Sequence, residues 1–160
     1  MRLNLIILSI SASIILCQII TNGNNTMDQK NKTDKEWKES LSPIAYNILR
    51  KKGTDPPGTG KYYHHDDEGN YYCVGCGNLL FESKTKYDSG SGWPSFWAPA
   101  ERDALIEEND FSLFMKRIEI KCSKCEGHLG HVFEDGPKPT GLRYCINSSA
   151  LQFKNISDQK

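Results

Sequence analysis

Four cysteines form two C-x-x-C pairs, and this spacing is typical of a metal site. Cys73 and Cys76 make the first pair, and Cys122 and Cys125 make the second. A glycine follows each pair within two residues, and it permits the tight, positive-φ turn of a metal knuckle. Two knuckles together supply four thiolates, the donor set that tetrahedral structural zinc prefers. The sequence therefore predicts one structural Zn²⁺ per chain, bound by these four residues.

A disulfide framework is the alternative for the same four cysteines. An oxidising compartment favours disulfides, and four cysteines allow three pairings. Such pairings need either a strained bridge within a C-x-x-C loop or bridges between the two pairs. Redox-active C-x-x-C pairs usually begin a helix in a βαβ unit, and no helical pattern follows either pair here. We favour zinc because both pairs share the same knuckle pattern.

A further cysteine, Cys145, has no partner in the sequence. In the segment "LRYCIN", strand alternation places Arg143, Cys145 and Asn147 on one face and three apolar residues on the other. The positive charge of Arg143 favours the thiolate, which is the nucleophilic form of cysteine. From this strand alone, Cys145 is either a nucleophile or a small buried hydrophobe, the commoner role of a lone cysteine.

Two histidines in "GHLGHVF" have side chains suited to acid–base catalysis. His128 and His131 are three residues apart, so a regular strand would place them on opposite faces. Gly130 between them permits a bulge that would bring both to one side. A hydrogen-bonded core histidine is one alternative. A metal-binding role is the other, although four cysteines already fill a zinc site.

The loop "DSGSGWPSFW" carries an aromatic candidate, Trp93. It precedes Pro94, which restricts Trp93 to an extended backbone. Gly90 and Gly92 flank Ser91 and let the loop turn sharply. Trp93 is either part of the core or the apolar wall of a site, and the sequence alone leaves both open.

The elements that must position these residues are a short helix and a series of strands. In "SPIAYNILRKKG", Ser42 can cap a helix whose first position suits Pro43, and Gly53 can end it. From residue 71 the apolar period becomes two, as in "FMKRIEIKC". Turn residues recur every ten residues or so, which favours a mainly β, antiparallel domain.

The N-terminus has the composition of a targeting segment. Arg2 precedes an uncharged run from Leu3 to Ile20, which predicts a secretory signal peptide over residues 1–23 or a retained membrane anchor. The polar residues 24–35 predict a flexible linker. Residues 36–155 then form the folded domain.

This segment predicts the secretory pathway, either the endoplasmic reticulum lumen or the exterior. A membrane-anchored form and a cytosolic form initiated at Met27 are the alternatives. Sequons at Asn24, Asn31 and Asn155 would bear on glycosylation only along the secretory route.

The charge balance limits the classes of partner. The chain has 20 Lys and Arg against 20 Asp and Glu, so it lacks the basic excess that nucleic-acid binding requires. Its 38% hydrophobic content includes the N-terminal run, so the remaining core is modest and gains from a metal. We expect a monomer with no nucleic-acid partner.

In their number and order, the motifs resemble those of the methionine-R-sulfoxide reductases, the B class of methionine sulfoxide reductase. The resemblance runs from about Glu36 to Phe153. The motifs are "EWKESLSP", "KGTDPPGTG", "CVGCGNLLF", "DSGSGWPSF", "CSKCEGHLGHVFEDGP" and "TGLRYCINSSAL". It implies two small antiparallel sheets, short N-terminal helices and a structural zinc at the four paired cysteines. The residues that it implies in or around the active site are Cys145, His131, His128, Asn147, Arg143, Asp135 and Trp93.

The resemblance also implies a reaction, the reduction of methionine R-sulfoxide, free or in proteins, to methionine. Cys145 would attack the sulfoxide sulfur and become a sulfenic acid. His131 is the first candidate for the acid and His128 the second. Asn147 would position the oxygen, and Trp93 would face the S-methyl group. Arg143 would support the thiolate, with Asp135 orienting Arg143 or a histidine.

One position departs from the family pattern. Many members carry a cysteine in the "SG-x-GWPSF" loop that resolves the sulfenic acid as a disulfide, and here that position is Ser91. We therefore expect regeneration by an external thiol: thioredoxin-like, glutathione-linked or specific to the compartment. A non-catalytic zinc-ribbon binding module is the alternative function. It explains the paired cysteines but not the strand face around Cys145.

Overall fold

The structure is a computed structural model that describes residues 29–112 and 116–159. The predicted signal peptide, residues 1–23, and the first part of the predicted linker lie outside the described residues. Within the described ranges, no helix is long and apolar enough to cross a membrane.

Two short helices precede the strands, α1 (Asp34–Ser40) and α2 (Pro43–Lys51). The strands are β1 (Gly69–Cys73), β2 (Leu79–Glu82), β3 (Lys86–Tyr87), β4 (Ser95–Phe96), β5 (Leu105–Asp110), β6 (Arg117–Cys122), β7 (His128–Phe133), β8 (Arg143–Ile146) and β9 (Leu151–Asn155). Single turns of 3₁₀ helix fill several of the connections.

The helix boundaries follow from their caps. Ser42 caps α2 by accepting a hydrogen bond from the backbone N–H of Ala45, as the sequence predicts. The C-cap is Lys52 in the left-handed conformation (φ 56°), rather than the predicted Gly53. Thr33 caps α1 in a capping box with Glu36.

The cap at Thr33 shortens the predicted linker. A 3₁₀ turn occupies Gln29–Asn31, and α1 begins at Asp34. Regular structure therefore starts inside the segment 24–35, before the predicted domain start at residue 36. The one buried residue of α1 is Trp37, which is 1% exposed.

The strands form two antiparallel sheets, which confirms the predicted fold class. The small sheet has the order β2-β1-β9, and the large sheet has the order β3-β4-β8-β7-β6-β5. Every pair that the structure describes is antiparallel. Strand β8, which carries Cys145, lies inside the large sheet between β4 and β7.

The core lies between the sheets and beneath the helices. Aromatic rings make up much of it, and the rings of Phe81 and Phe96 stack with centroids 4.3 Å apart. Phe96 pairs with Tyr144 of β8, and Tyr144 pairs with Val132 of β7. These side chains share one face of the large sheet, so that face is committed to the core. The opposite face is free to carry chemistry.

Candidate active site and metal centre

The four paired cysteines meet in space, although 45 residues separate the two pairs in the sequence. Their sulfur atoms lie within 4.8 Å of one another. Cys73 Sγ is 3.7 Å from Cys125 Sγ, and Cys76 Sγ is 3.5 Å from Cys122 Sγ. Zn–S bonds of about 2.3 Å in a tetrahedron place neighbouring sulfurs about 3.8 Å apart. The cluster therefore fits a single tetrahedral metal ion.

Both pairs form the same knuckle. The N–H of Gly77 donates to Cys73 O, and the N–H of Glu126 donates to Cys122 O, each at 2.8 Å. Gly77 has φ 71°, as predicted, but in the second knuckle the positive φ (58°) falls on Glu126 rather than on the glycine after it. Gly127 serves close packing instead, because a Cβ there would come within 2.9 Å of Leu49.

The centre joins the two sheets and helix α2. Cys73 ends β1 of the small sheet, and Cys122 ends β6 of the large one. From α2, Arg50 donates to the backbone carbonyl of Cys125 at 2.9 Å. A metal bound here would link β1 to β6, which are distant in the sequence, and the bond from Arg50 attaches α2 to the same centre.

Cys145 lies in a row of polar side chains across the large sheet. Its direct partners are Ser95 on β4 and His131 on β7. Residues opposite each other in antiparallel strands project to the same face. Because Tyr144 and Ile146 are buried on the other face, the predicted alternation of this strand is confirmed.

Burial raises the pKa of the Cys145 thiol above its ordinary value. A hydrogen bond from Ser91, followed by the charge of Arg143 and a hydrogen bond from it, opposes this rise in pKa without cancelling it. Arg143 is itself engaged by Asp135, which accepts from Nε and Nη2 at 2.8 Å each. The predicted thiolate-supporting effect of Arg143 is therefore present, but burial outweighs it in the free protein.

The two histidines lie on one side of the strand, as predicted from Gly130. The pairing of β7 with β6 shifts register between Gly130 and His128. Their ring centroids are 5.5 Å apart. Gly130 is required by close approach, since a Cβ there would lie 2.0 Å from the carbonyl oxygen of Cys145.

A carboxylate holds each histidine, and neither carboxylate was foreseen. His128 Nδ1 lies 2.7 Å from Glu119 Oε1, and His131 Nε2 lies 2.8 Å from Asp110 Oδ2. Carboxylates only accept, so both of these ring nitrogens carry a hydrogen. A cation completes each set: Lys52 binds Glu119 at 2.7 Å, and Arg117 binds Asp110 at 2.8 Å.

The Glu119–His128 set and the Asp110–His131 set differ in burial and in the physical causes of their pKa shifts. Burial lowers the pKa of His128 below its ordinary value, although Glu119 opposes the shift. Hydrogen bonds from Ser112, with a further one from His131, hold the pKa of Asp110 well below its usual range. His128 is therefore neutral at pH 7, and Asp110 is ionised beside His131.

Trp93 and Asn147 are fixed by the same loop residue, Asp55. Trp93 Nε1 donates to the carbonyl of Asp55 at 2.8 Å, and the N–H of Asp55 donates to Asn147 Oδ1 at 2.8 Å. Asn147 Nδ2 donates to Leu129 O at 3.0 Å. Both the Oδ1 and the Nδ2 atom of Asn147 are therefore hydrogen-bonded, and the residue is 3% exposed.

These residues surround one cavity of about 490 Å³. Its lining includes Trp93, His128, His131, Cys145 and Asn147. Arg143 and Asp135 are outside that lining, and the guanidinium of Arg143 lies over the ring of Phe133 at 4.4 Å. The structure therefore brings five of the seven predicted active-site residues together and places the other two beside them.

Comparison with known proteins agrees with this geometry. Residues 41–155 match the family model described as the SelR domain. The chain is 55% identical over 127 residues to a peptide methionine sulfoxide reductase MsrB of Hahella chejuensis, which covers 79% of this chain and 91% of that protein. The chain belongs to the methionine-R-sulfoxide reductase B family.

Other reductases of this name show similar values. The MsrB of Leptospira interrogans is 56% identical over 124 residues, or 78% of this chain and 95% of that protein. The MsrB of Acinetobacter baylyi is 54% identical over 134 residues, or 84% and 95%. The chain is thus a peptide-methionine (R)-S-oxide reductase, and the alternative of a non-catalytic zinc ribbon is wrong.

A signal for one of the two missed carboxylates, Glu119, was present in the sequence of this reductase. Glu119 lies between Ile118 and Ile120, so it projects to the face opposite these isoleucines. It is also 2% exposed, and buried carboxylates need partners. An acidic residue in the middle of an alternating strand could have been assigned to the polar face that carries the histidines.

Replacing Glu119 tests whether this buried set stabilises the fold. Glu119→Ala leaves the buried Nδ1–H of His128 without its acceptor, while Lys52 can turn to water, so we expect a loss of about 1–3 kcal/mol in the free energy of unfolding. Glu108→Ala is the matched control, since Glu108 pairs opposite Glu119, binds Lys121 and has a side chain that is 53% exposed. It should cost no more than about 1 kcal/mol. Urea unfolding of both variants measures the difference, and equal midpoints would contradict this role of Glu119.

Proposed function

We propose that this reductase acts through a sulfenic acid on Cys145 and that an external thiol regenerates it. The observation that carries the proposal is the position of Cys145. Among the described cysteines it is the one outside the metal cluster, and it lies in the cavity directly opposite His131. A nucleophile beside an acid–base group is the arrangement that covalent catalysis requires.

The transfer of oxygen from the sulfoxide to Cys145 needs no proton from elsewhere, because the thiol supplies the one that the sulfenic acid retains. The Cys145 sulfur attacks the sulfoxide sulfur and takes its oxygen, so that one thiol and one sulfoxide give one sulfenic acid and one thioether. Oxygen leaves sulfur only when it is protonated, so a group must carry that proton. With Nε2–H bound to Asp110, His131 has Nδ1 left to take the proton from the Cys145 thiol and pass it to the leaving oxygen. His128, with its hydrogen on Nδ1, could use Nε2 for the same relay.

Trp93 and Asn147 bind the substrate in this proposal. The ring of Trp93 is fixed by Asp55 and gives the S-methyl group an apolar wall. Asn147 is held by two hydrogen bonds, so it acts mainly by shaping the wall near the transferred oxygen. The substrates are methionine R-sulfoxide residues in proteins or the free amino acid.

The metal has a structural role in this proposal. We assign zinc to the cluster of Cys73, Cys76, Cys122 and Cys125, since four thiolates at tetrahedral spacing suit Zn²⁺. With all four positions filled by protein thiolates, a bound zinc would leave no position for substrate. It would keep these thiols deprotonated and hold them together.

In this proposal the regenerating thiol comes from outside the chain, since the four clustered cysteines are held by the metal and Cys17 would leave with the predicted signal peptide. Ser91 Oγ lies 3.8 Å from Cys145 Sγ, so this loop position is in contact with the nucleophile, but a hydroxyl cannot form a disulfide. Two thiols from a reductant would convert the sulfenic acid to thiol, water and a disulfide. We propose a thioredoxin-like or glutathione-linked reductant, with the chain acting as a monomer in the secretory pathway.

A direct test uses the separated epimers with dithiothreitol as the only reductant. We expect the R epimer to be reduced and the S epimer to remain unchanged. Equal reduction of both epimers, or none of either, would count against the proposal.

A substitution at position 91 tests how the sulfenic acid is resolved. In Ser91→Cys, we expect one turnover of R-sulfoxide without reductant to leave an intramolecular disulfide between positions 91 and 145, because the present contact is only 3.8 Å. The wild-type chain should form none under the same conditions. Non-reducing peptide mapping distinguishes the two proteins. A Cys145 disulfide within the wild-type chain would contradict the external-thiol route.

A further inference from the structure

Three serine hydroxyls connect in series beside the nucleophile. Ser91 Oγ lies 3.8 Å from Cys145 Sγ, within the range of a hydrogen bond to sulfur. Ser89 Oγ donates to Ser91 Oγ at 2.9 Å. Ser95 Oγ lies 2.7 Å from Ser89 Oγ. The chain Ser95–Ser89–Ser91 therefore ends on Cys145.

The direction of the hydrogen bonds follows from the donor count. Each hydroxyl has one hydrogen to donate. Since Ser89 donates to Ser91, the Ser91 hydrogen is available to the sulfur. Ser95 Oγ has three possible acceptors, Ser89 Oγ at 2.7 Å, Trp93 O at 3.1 Å and Ser91 Oγ at 3.5 Å, and the shortest of these contacts lies along the chain. All three hydrogens then point toward Cys145, and each bond polarises the next.

The backbone holds this arrangement in place. Ser95 is fully buried and pairs directly opposite Cys145, so its hydroxyl has to be satisfied inside the protein. The loop turns at Gly90 (φ 67°) and Gly92 (φ 94°), values that only glycine adopts readily. The N–H of Gly90 donates to Asp88 Oδ1 at 2.9 Å, which closes the turn.

We propose that this hydroxyl chain stabilises the anionic sulfur of Cys145, with Ser91 as its donor and with Ser89 and Ser95 as positioning residues. The inference rests on the proposed function only in taking Cys145 as the nucleophile. It gives Ser91 a catalytic use of its own, at the position where a resolving cysteine is absent. An anion that accepts a hydrogen bond is favoured over the neutral thiol.

Other charged or titratable groups also lie around Cys145. They are Arg143 (on the same strand and paired with Asp135), His131 on β7 and Tyr87 on β3. The influences that oppose burial are the hydrogen bond from Ser91, the charge of Arg143 and a hydrogen bond from Arg143. Substituting a serine by alanine changes none of these charges. A shift in the titration of Cys145 would therefore report the hydroxyls.

The test measures the pH dependence of Cys145 alkylation by iodoacetamide in the full-length, zinc-loaded protein. The Cys145 peptide is quantified by mass spectrometry, so other thiols do not contribute. We expect Ser91→Ala to raise the midpoint by about one pH unit, the scale of a lost hydrogen bond to a charged group. Ser89→Ala keeps Ser91 and the turn, and it should raise the midpoint by a smaller amount.

The control is Ser40→Ala, on the exposed end of α1, which should keep the wild-type midpoint. An unchanged midpoint in either Ser91→Ala or Ser89→Ala would overturn the hydroxyl chain. Alkylation needs no sulfoxide, so this result is independent of the proposed reaction. The reduction of R-sulfoxide by the same proteins tests that reaction separately.

Discussion

Cys145→Ser should reduce R-sulfoxide at least about 1,000-fold more slowly than the wild-type chain, the scale seen when an enzyme loses its nucleophile. The serine hydroxyl is nearly the same size but is protonated at pH 7 and does not accept oxygen from a sulfoxide. The fold should persist, because Cys145 lies outside the metal cluster. The measurement is the steady-state rate with dithiothreitol, alongside the zinc content and the urea midpoint of each protein.

The stability data decide how a loss of activity is interpreted. A slow Cys145→Ser protein with normal zinc and a normal midpoint assigns the loss to chemistry. Retention of more than a small fraction of the wild-type rate would show that another group performs the reduction.

Removing the metal should abolish cooperative folding. Structural zinc contributes about 10–16 kcal/mol of apparent binding free energy in zinc-finger peptides, which is comparable to the whole stability of a small domain. Here the ion would join β1, β6 and their knuckles across the two sheets. We expect Cys122→Ser, or chelation of the wild-type chain, to eliminate the cooperative thermal transition.

Near-UV circular dichroism with parallel zinc analysis measures this effect. Cys145→Ser is the matched control, since it also removes one thiol but should keep both zinc and the transition. A metal-free protein that melts as sharply and at the same temperature as the loaded one would contradict a structural metal.

Much of the fold could be predicted from local patterns. The N-cap Ser42 and Pro43 at the first helical position predicted the start of α2 directly. The alternation around Cys145 gave the buried and polar faces of β8. The C-x-x-C spacing also predicted the two knuckles, and Gly130 predicted that both histidines lie on one side of the strand. These features depend on residues near one another in the chain.

What could not be predicted depends on strand register. The bond between Asp110 and His131 spans 21 residues, and the bond from the N–H of Asp55 to Asn147 spans 92. Neither partner carries a local signal of the other. The effect of burial on Cys145 was missed for the same reason: Arg143 is visible in the sequence, but the packing that raises the pKa of the thiol is not.

The hydroxyl chain shows this limit most clearly. Ser89, Ser91 and Ser95 look like ordinary loop serines, and serine is common in turns. Only the pairing of β4 with β8 sets Ser95 beside Cys145 and gives the three hydroxyls a common direction. The sequence showed what Ser91 cannot do, and the structure shows what it contacts.

The most direct test of the central claim is a single turnover without reductant. Equimolar protein and methionine R-sulfoxide are mixed, dimedone is added to trap sulfenic acid, and the peptides are analysed by mass spectrometry. The account predicts one methionine formed per chain and one dimedone adduct, on the Cys145 peptide. Methionine released in that amount with Cys145 recovered as an unmodified thiol would contradict it.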